Sequence, residues 1–302
     1  MTGRPYHIPV LLQQSVDGLD INPSGVYVDL TFGGGGHSKE ILSRLSSKGQ
    51  LIAFDRDKDA LQNNINDERF LLINSNYSNL TTELHLNGVF AVDGVLADLG
   101  ISSHQIDQTE RGFSFRTNSV LDLRMDTSSS MTAADIVNSY SEEKLSQIFY
   151  SFAQINNSRQ VAHRIIKCRE EKYIETTFDL CEILRPMTRI GMEQKYFAKV
   201  FQALRIEVNG ELSSLESMLN QLKEILKSNG RISIISYESL EDKMVKNLIR
   251  SGSTKGEVHK DFYGNNLTPF VSITHKPIIP SKEEVAANPR SRSAKLRIAY
   301  KK

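Results

Sequence analysis

Four consecutive glycines and two aspartates are the residues of this sequence whose types and positions are best suited to chemistry. Gly33 to Gly36 follow the apolar run "GVYVDL" and precede His37, while Asp55 and Asp98 each close a later apolar run. A glycine lets the backbone approach a bound molecule closely, because it has no side chain. A carboxylate accepts hydrogen bonds from hydroxyl and amine groups. Together these residues indicate a site for a small polar molecule.

The glycine-rich turn has two cofactor interpretations, and a tight turn without a ligand is the third. In the dinucleotide fingerprint G-x-G-x-x-G, a pyrophosphate lies on the N-terminus of the following helix. Its third glycine would fall on Ser38 when counted from Gly33 and on Lys39 when counted from Gly34, so the fingerprint fails in both frames. The second interpretation is the loop of Rossmann-like S-adenosylmethionine-dependent methyltransferases. That cofactor has no phosphate to neutralise, so the four glycines of this chain are compatible with it.

Asp55 ends the run "LIAFD", about 20 residues after the glycines, where folds of this kind place the acidic residue that binds ribose hydroxyls. NAD and S-adenosylmethionine share that ribose, so Asp55 does not separate them. Asp55 could instead cap the helix-like segment "DKDALQNNI", a role that Asp57 could fill equally well. His37 is either a cofactor contact or an ordinary residue at a helix start.

Asp98 ends the fourth apolar run, and in Rossmann-like methyltransferases the end of the fourth strand contacts the substrate. Methyltransferases that act on exocyclic amines often carry the motif [DNS]-P-P-[aromatic] there, but this chain has Asp98-Leu99-Gly100 and no proline pair. The motif therefore does not give the reaction type. We take Asp98 as the candidate catalytic residue, for orienting an amine, with a strand-end cap as the alternative.

The elements that must position these residues alternate up to about residue 100. Short continuous apolar runs such as "GVYVDL", "LIAFD", "FLLINS" and "VDGVLADLG" are separated by helical segments, which is typical of a parallel sheet covered by helices on both faces. Ligands bind at the carboxyl ends of the strands in such sheets. "GRISIISY" predicts a fifth strand opened by Gly230, and "SLEDKMVKNLIRSG" a helix capped by Ser239.

From about residue 109 the pattern changes to a long loop followed by helical segments without a convincing strand. A long helical pattern then follows, with a break expected near Asn209-Gly210. The sequence predicts an α/β fold in two parts: a discontinuous sheet domain of residues 1–108 and 200–302, and a helical insertion domain of residues 109–199, which we expect to recognise the substrate.

Composition narrows the function classes. The chain has 302 residues, a formal net charge of +1 and two cysteines. The charge gives no overall preference for a polyanion, so nucleic-acid contacts would need local patches. The cysteines are too few for a disulfide framework, and no metal constellation is visible. No segment reads as a signal peptide or membrane span, so we expect a cytoplasmic protein without membrane contact.

Two basic patches are candidates for RNA contact. The tail "NPRSRSAKLRIAYKK" contains Arg290, Arg292 and Arg297, and the loop "ERGFSFRTNSVLDLRMD" contains Arg111 and Arg116 beside two phenylalanines. Basic and aromatic side chains together suit phosphate pairing and base stacking. The alternatives are a solvated strand end for the tail and core packing for the phenylalanines.

Several stretches, taken in order, resemble one family. They are "YHIPVLL", "DLTFGGGGHS", "AFDRD", "LADLGISSHQID", "ERGFSF", "LDLRMD", "FQALRIEVNGEL", "GRISIISYESLED" and "NPRSRSAKLR". Together they resemble the RsmH (formerly MraW) family of bacterial 16S ribosomal RNA cytosine-N(4) methyltransferases. The resemblance runs from about Tyr6 to Tyr300 and includes the insert. Each motif alone is weak, whereas nine in the right order are specific.

The resemblance implies a Rossmann-like class I methyltransferase domain interrupted by a helical domain. It implies methyl transfer from S-adenosylmethionine to the N(4) amine of a decoding-centre cytidine, in a partly or fully assembled small ribosomal subunit, and it admits a homodimer. The cofactor contacts that it implies are Gly35, Gly36, His37, Asp55, Tyr77, Asp98 and Gln105. Two positions depart from the family pattern: Tyr77 stands where phenylalanine is frequent, and Glu238 where many members have histidine.

Three other functions remain open from the sequence. The fold could methylate a protein or small molecule instead of RNA. An NAD-dependent oxidoreductase would share Asp55, although the missing third glycine argues against it. A non-catalytic RNA-binding assembly factor could keep the fold.

Overall fold

The computed structural model describes residues 9–264 and 267–302. The chain forms two units, one made of residues up to Gly100 together with Leu212–Lys302, and the other of Ile101–Glu211. The segment "YHIPVLL" therefore lies partly outside the described residues. The sequence predicts boundaries after residues 108 and 199, whereas the division falls at Gly100 and Leu212. The second boundary lies later because most of the apolar residues of the helix 193–209 belong to the helical core.

The first unit is built on a seven-stranded sheet in the order β3-β2-β1-β4-β5-β7-β6. The strands are β1 (Val26–Asp29), β2 (Gln50–Asp55), β3 (Phe70–Asn74), β4 (Val92–Asp98), β5 (Leu226–Ser236), β6 (Phe270–Ser272) and β7 (Lys295–Lys301). Strands β1 to β5 pair in parallel, whereas β7 is antiparallel to both β5 and β6. This doubly wound arrangement confirms the predicted Rossmann-like α/β fold.

The central strands are mostly apolar, as expected for strands that helices cover on both faces of the sheet. Residues 51–54 of β2 are all buried, as a strand covered on both faces requires. The helices of this unit are α1 (Leu12–Asp17), α2 (Gly36–Arg44), α3 (Leu80–Leu86), α10 (Glu211–Ile225), α11 (Ser239–Ser251) and α12 (Lys282–Ala287).

Three local predictions for this unit differ from the structure. The segment after Asp57 forms a 3-10 helix, Lys58–Asn63, in which Ala60 is the one buried residue, so little apolar packing supports a full α-helix. Helix α11 is capped by Glu238 rather than by Ser239, because Glu238 and Glu241 form a reciprocal capping box. Strand β5 begins at Leu226, before Gly230, and its pairing with β4 shifts register between Val92 and Gly94.

The second unit is helical, as predicted. Its helices are α4 (Ser103–Asp107), α5 (Ala133–Ser139), α6 (Glu142–Ala153), α7 (Ser158–Glu171), α8 (Thr177–Leu184) and α9 (Glu193–Asn209). Throughout residues 101–211, whose backbone is described completely, no strand forms, although an isolated bridge joins Val120 and Thr176. Helix α9 ends at Gly210 in the left-handed conformation, which confirms the expected break.

Candidate functional site

The glycine loop follows β1, and two of its glycines are required for different reasons. Gly35 precedes α2 with φ of 75°, a left-handed conformation that favours glycine. Gly36 opens α2, and a Cβ atom there would lie 2.2 Å from Cγ of Pro9. No side chain fits at that distance. Glycine is therefore required at position 36 by the close packing of the start of α2 against Pro9.

Asp55 ties the glycine loop to the end of β2. Its Oδ2 atom accepts a hydrogen bond from the N–H of Gly33 at 2.8 Å, and its Oδ1 atom accepts one from the N–H of Asp57 at 2.8 Å. The side-chain amide of Asn63 also donates to the Gly33 carbonyl at 2.9 Å. Because each carboxylate oxygen has two acceptor positions, both oxygens of Asp55 can accept one more donor.

The geometry separates the roles of Asp55 and Asp57. The Asp57 carboxylate accepts the N–H of Asp59 at 3.1 Å and caps the 3-10 helix. Asp55 makes no such contact with that helix and is only partly exposed. Burial raises the pKa of Asp55 to about 6, although the Asp57 and Gly33 N–H donors oppose the shift. A ligand hydroxyl would favour its ionised form.

His37 and Asp29 lie beneath the loop. The His37 side chain is buried, and its Nε2 atom lies 3.1 Å from the Val10 carbonyl oxygen. Asp29, at the end of β1, is fully buried and accepts hydrogen bonds from Ser38 Oγ at 2.7 Å and from the Thr31 N–H at 3.1 Å. Burial raises the pKa of Asp29, with the nearby His37 opposing the shift. The sequence reasoning missed Asp29, whose signal was an acidic residue inside an apolar strand.

Asp98 ends β4, and a tyrosine from the neighbouring strand end contacts it. The hydroxyl of Tyr237 donates to Oδ1 of Asp98 at 2.9 Å, and the backbone N–H of Asp98 donates to Oγ1 of Thr31 at 2.6 Å. Burial raises the pKa of Asp98 to about 6, while His37 and the Tyr237 hydroxyl lower it in part. Tyr237 was also missed by sequence reasoning. Its signal was its position directly after β5, which pairs with β4.

Two further cofactor candidates occupy different parts of the chain. Tyr77 begins a short 3-10 helix after β3, is half-buried and packs against the core of the sheet unit. Gln105 lies in the helical unit, in α4, where it is buried and forms a reciprocal capping box with Ser102. The sheet unit thus brings together the glycine loop, Asp55 and Asp98 at the carboxyl ends of β1, β2 and β4.

The five arginines predicted to contact RNA have very different surroundings. Arg111 is buried, and its guanidinium donates to the carbonyl oxygens of Arg124 and Met125 at 2.9 and 2.8 Å. Arg297 makes two hydrogen bonds to Asp242, at 2.7 and 3.2 Å. Both arginines therefore have structural partners. The side chains of the remaining three are exposed: Arg116, Arg290 and Arg292.

A groove of about 590 Å³ lies within the helical unit. Its lining includes aromatic rings and charged groups: Phe115, Phe178, Phe197, Arg116, Arg185 and Glu182. The Phe115 ring packs edge-on against Phe197, with 6.1 Å between ring centroids. Phe115 is therefore shared between the core and the groove, and the groove combines apolar surface with two guanidinium groups.

Neither a metal cluster nor a membrane span is present in the described part of the chain. Within 9–264 and 267–302, no group of three or more His, Cys, Asp or Glu side chains could hold a metal ion. Over the same ranges, every helix is too short or too polar to cross a bilayer.

Comparison with known proteins gives matches along nearly the whole chain. The model of the MraW methylase family matches residues 4–302. Ribosomal RNA small subunit methyltransferase H of Phocaeicola vulgatus is 52% identical over 297 residues, covering 98% of each chain. The protein of the same name from Bacteroides fragilis is 51% identical over 297 residues, again covering 98% of each chain.

Solved structures are more distant. An rRNA methylase from Streptococcus thermophilus covers 100% of this chain and 98% of its own, at 13% identity and a TM-score of 0.39. Similarity at that level carries no argument about function.

Proposed function

The chain belongs to the MraW methylase family, and from that premise we propose that it methylates the exocyclic N(4) amine of a decoding-centre cytidine in 16S ribosomal RNA, with S-adenosylmethionine as methyl donor. Family membership confirms the resemblance drawn from the sequence motifs. The relatives at 52% and 51% identity are named as methyltransferases of small-subunit ribosomal RNA. The observation that most supports the proposed reaction is that the glycine loop, Asp55 and Asp98 lie together at one edge of the sheet.

The residues at that edge fit S-adenosylmethionine. Residues 33–36 of the loop carry no side chains of their own, and Asp55 keeps acceptor capacity for ribose hydroxyls. Tyr77 supplies a flat ring suited to adenine. Residues 33–37 include no lysine or arginine, which agrees with a cofactor that has no phosphate. His37 and Asp98 are the other contacts that we propose in the sheet unit, and Gln105 stays a candidate contact from the family resemblance.

The chemistry demands alignment more than strong base catalysis. A cytosine amine is a weak nucleophile because its lone pair is delocalised into the ring, whereas the bound cofactor supplies a methyl group already activated by its sulfonium. Asp98 would accept a hydrogen bond from the amine and stabilise the positive charge that develops on nitrogen. The amine proton then leaves to solvent after the new nitrogen–carbon bond has formed.

RNA recognition is assigned to the helical unit and to the basic tail. In the groove, Arg116 and Arg185 are exposed beside Phe115 and Phe178, a combination that pairs phosphates and stacks bases. In the tail, Arg292 is exposed on the turn Pro289–Ser293. The substrate that we propose is 16S rRNA within a partly or fully assembled small subunit.

The test uses the full chain with tritiated S-adenosylmethionine and small subunits from a strain that lacks this gene. Digestion of the RNA and mass spectrometry of the labelled nucleoside should place the methyl group on N(4) of one decoding-centre cytidine. A label on protein or on another nucleoside would refute the proposed substrate. Intact cofactor binding with no label on subunits would favour a non-catalytic assembly factor.

A double variant tests the groove. Arg116→Gln with Arg185→Gln should weaken binding to small subunits and lower the salt dependence by about one unit of log–log slope for each phosphate that is no longer paired. The affinity for S-adenosylmethionine should stay unchanged. Arg189→Gln is the matched control, because Arg189 is exposed and is not part of the groove lining. Equal effects of the control and of the double variant would refute the groove as an RNA site.

A further inference from the structure

We propose that Tyr237 is a positioning residue for methyl transfer, whose hydroxyl holds Oδ1 of Asp98 so that Oδ2 accepts a hydrogen bond from the target amine. The inference rests on the proposed function, and it adds a residue that the sequence motifs did not single out. It follows from three features of the pair: the contact itself, the way Tyr237 is fixed, and the charges around it.

The contact gives the two carboxylate oxygens of Asp98 different surroundings. Strands β4 and β5 are parallel neighbours, with Asp98 beside Ile235, so the residues that follow the two strands come close together. The Tyr237 hydroxyl donates to Oδ1 at 2.9 Å. Among the described residues, Oδ2 has no hydrogen-bond donor of its own. One oxygen is therefore held, and the other can accept a donor from a ligand.

Tyr237 is fixed at both ends. Its backbone N–H donates to Oε2 of Glu241 at 3.1 Å, and Glu241 is itself buried in the first turn of α11. Its ring lies against Gly100, where an added Cβ atom would be 3.4 Å from Cδ2 of Tyr237. Gly100 has φ of 102°, a conformation that favours glycine. A phenol held in this way directs its hydroxyl to one place, as preorganised sites require.

The groups around the pair keep Tyr237 protonated, and two of them oppose the protonation of Asp98. Asp98 faces His37 from α2, Asp29 from the end of β1 and Tyr237. Burial and Asp29 raise the pKa of Asp98, whereas the histidine and the phenol lower it. Tyr237 faces Asp98, Glu241 and Glu284 from α12; burial and these carboxylates raise its pKa. The phenol therefore remains a donor, and it stabilises the carboxylate form that an amine needs.

The methyl-transfer step requires no proton on Asp98 and no proton from Tyr237. The cytosine nitrogen forms a bond to the methyl carbon, the carbon–sulfur bond breaks, and the electron pair of that bond stays on sulfur. The proton of the methylated amine leaves to water. Tyr237 acts only through Asp98, so its replacement should affect the alignment and the protonation of Asp98.

The test compares Tyr237→Phe with Tyr27→Phe, using the full chain and small subunits. Tyr27 is a buried tyrosine of the same unit whose hydroxyl accepts the N–H of Asn22 at 2.7 Å, remote in sequence from this pair. We expect Tyr237→Phe to lower kcat about 10- to 100-fold, the effect of removing one charge-assisted hydrogen bond. The acid limb of its kcat–pH profile should move to higher pH, because Asp98 no longer has a donor that favours its ionised form. Tyr27→Phe should change neither quantity.

A double-variant cycle with Asp98→Asn gives the second readout. If Tyr237 acts through Asp98, then Tyr237→Phe costs little further activity when Asp98 is already replaced. Additive losses of activity would overturn the inference, as would a Tyr237→Phe enzyme with the wild-type kcat and acid limb. In both cases an active wild-type enzyme leaves the proposed function standing. A wild-type enzyme that labels no subunits would instead overturn the proposed function, and this inference with it.

Discussion

The backbone N–H of Gly33 donates a 2.8 Å hydrogen bond to Oδ2 of Asp55, which joins the glycine loop after β1 to the carboxyl end of β2. The same carboxylate therefore shapes the loop and, in the role proposed above, would accept the ribose hydroxyls of the cofactor. Its second oxygen is oriented by the N–H of Asp57. Any change at Asp55 should alter both functions together.

Asp55→Asn tests that coupling. An amide in place of the carboxylate keeps the size of the side chain but removes one acceptor oxygen and all of the charge, so the affinity for S-adenosylmethionine should fall about 10- to 100-fold. Calorimetric titration measures this directly. Asp57→Asn is the control, since an asparagine still caps the 3-10 helix and the backbone N–H of residue 57 still reaches Asp55. Equal affinities for the Asp55 variant and wild type would refute the ribose role.

Gly36→Ala should disrupt the start of α2. The added Cβ atom would lie 2.2 Å from Cγ of Pro9, so the loop or the Pro9 segment must shift, at a cost of about 1–3 kcal/mol in unfolding free energy. Cofactor affinity should fall as well. Gly191→Ala serves as the control: it has φ of 77° but meets no atom within 4 Å, so it should cost about 1 kcal/mol and leave cofactor binding unchanged. Denaturant unfolding and calorimetry give the two quantities.

The sequence predicted the parts of the fold that depend on local pattern. Continuous apolar runs indicated β1 to β5, because parallel strands are buried on both faces, and chain order alone put Asp55 and Asp98 at strand ends. The contact between Asp98 and Tyr237 spans 139 positions and requires that β4 and β5 be neighbours, which no local pattern gives.

Burial of charge was the other feature that the sequence did not show. Arginine is ordinarily exposed, and Arg111 is buried only because the irregular chain after it turns two backbone carbonyls toward its guanidinium. Arg297 is partly buried for a different reason, because its guanidinium pairs with the carboxylate of Asp242, which lies 55 positions earlier in α11. Composition therefore marked five candidate arginines, and tertiary contacts separated the structural ones from the exposed ones.

Asp98→Asn should stabilise the protein without ligand near neutral pH and not in acid. The folded pKa of Asp98, about 6, lies above the ordinary aspartate value of 3.8, so the folded protein is stabilised by proton uptake as the pH falls and loses that stability as the pH rises through 6. The asparagine variant avoids this cost, so its advantage at pH 7.5 should reach about 2–3 kcal/mol and vanish near pH 4. Urea unfolding at both pH values measures it. A difference that does not depend on pH would contradict the raised pKa.

Arg297→Gln and Arg292→Gln, two substitutions in the same basic tail, should affect different properties of the protein. Arg297 and Asp242 are 13% and 14% exposed and are joined by a hydrogen bond of 2.7 Å. Removing the guanidinium leaves that carboxylate with Lys295 at 3.7 Å, at a cost of about 1–3 kcal/mol in stability. Arg292 is exposed, so its replacement should change stability by less than about 0.5 kcal/mol but lower the salt slope of subunit binding by about one. Denaturant unfolding and salt-dependent binding are measured on both variants. A greater loss of stability in Arg292→Gln than in Arg297→Gln would contradict the prediction, as would a change of salt slope in Arg297→Gln alone.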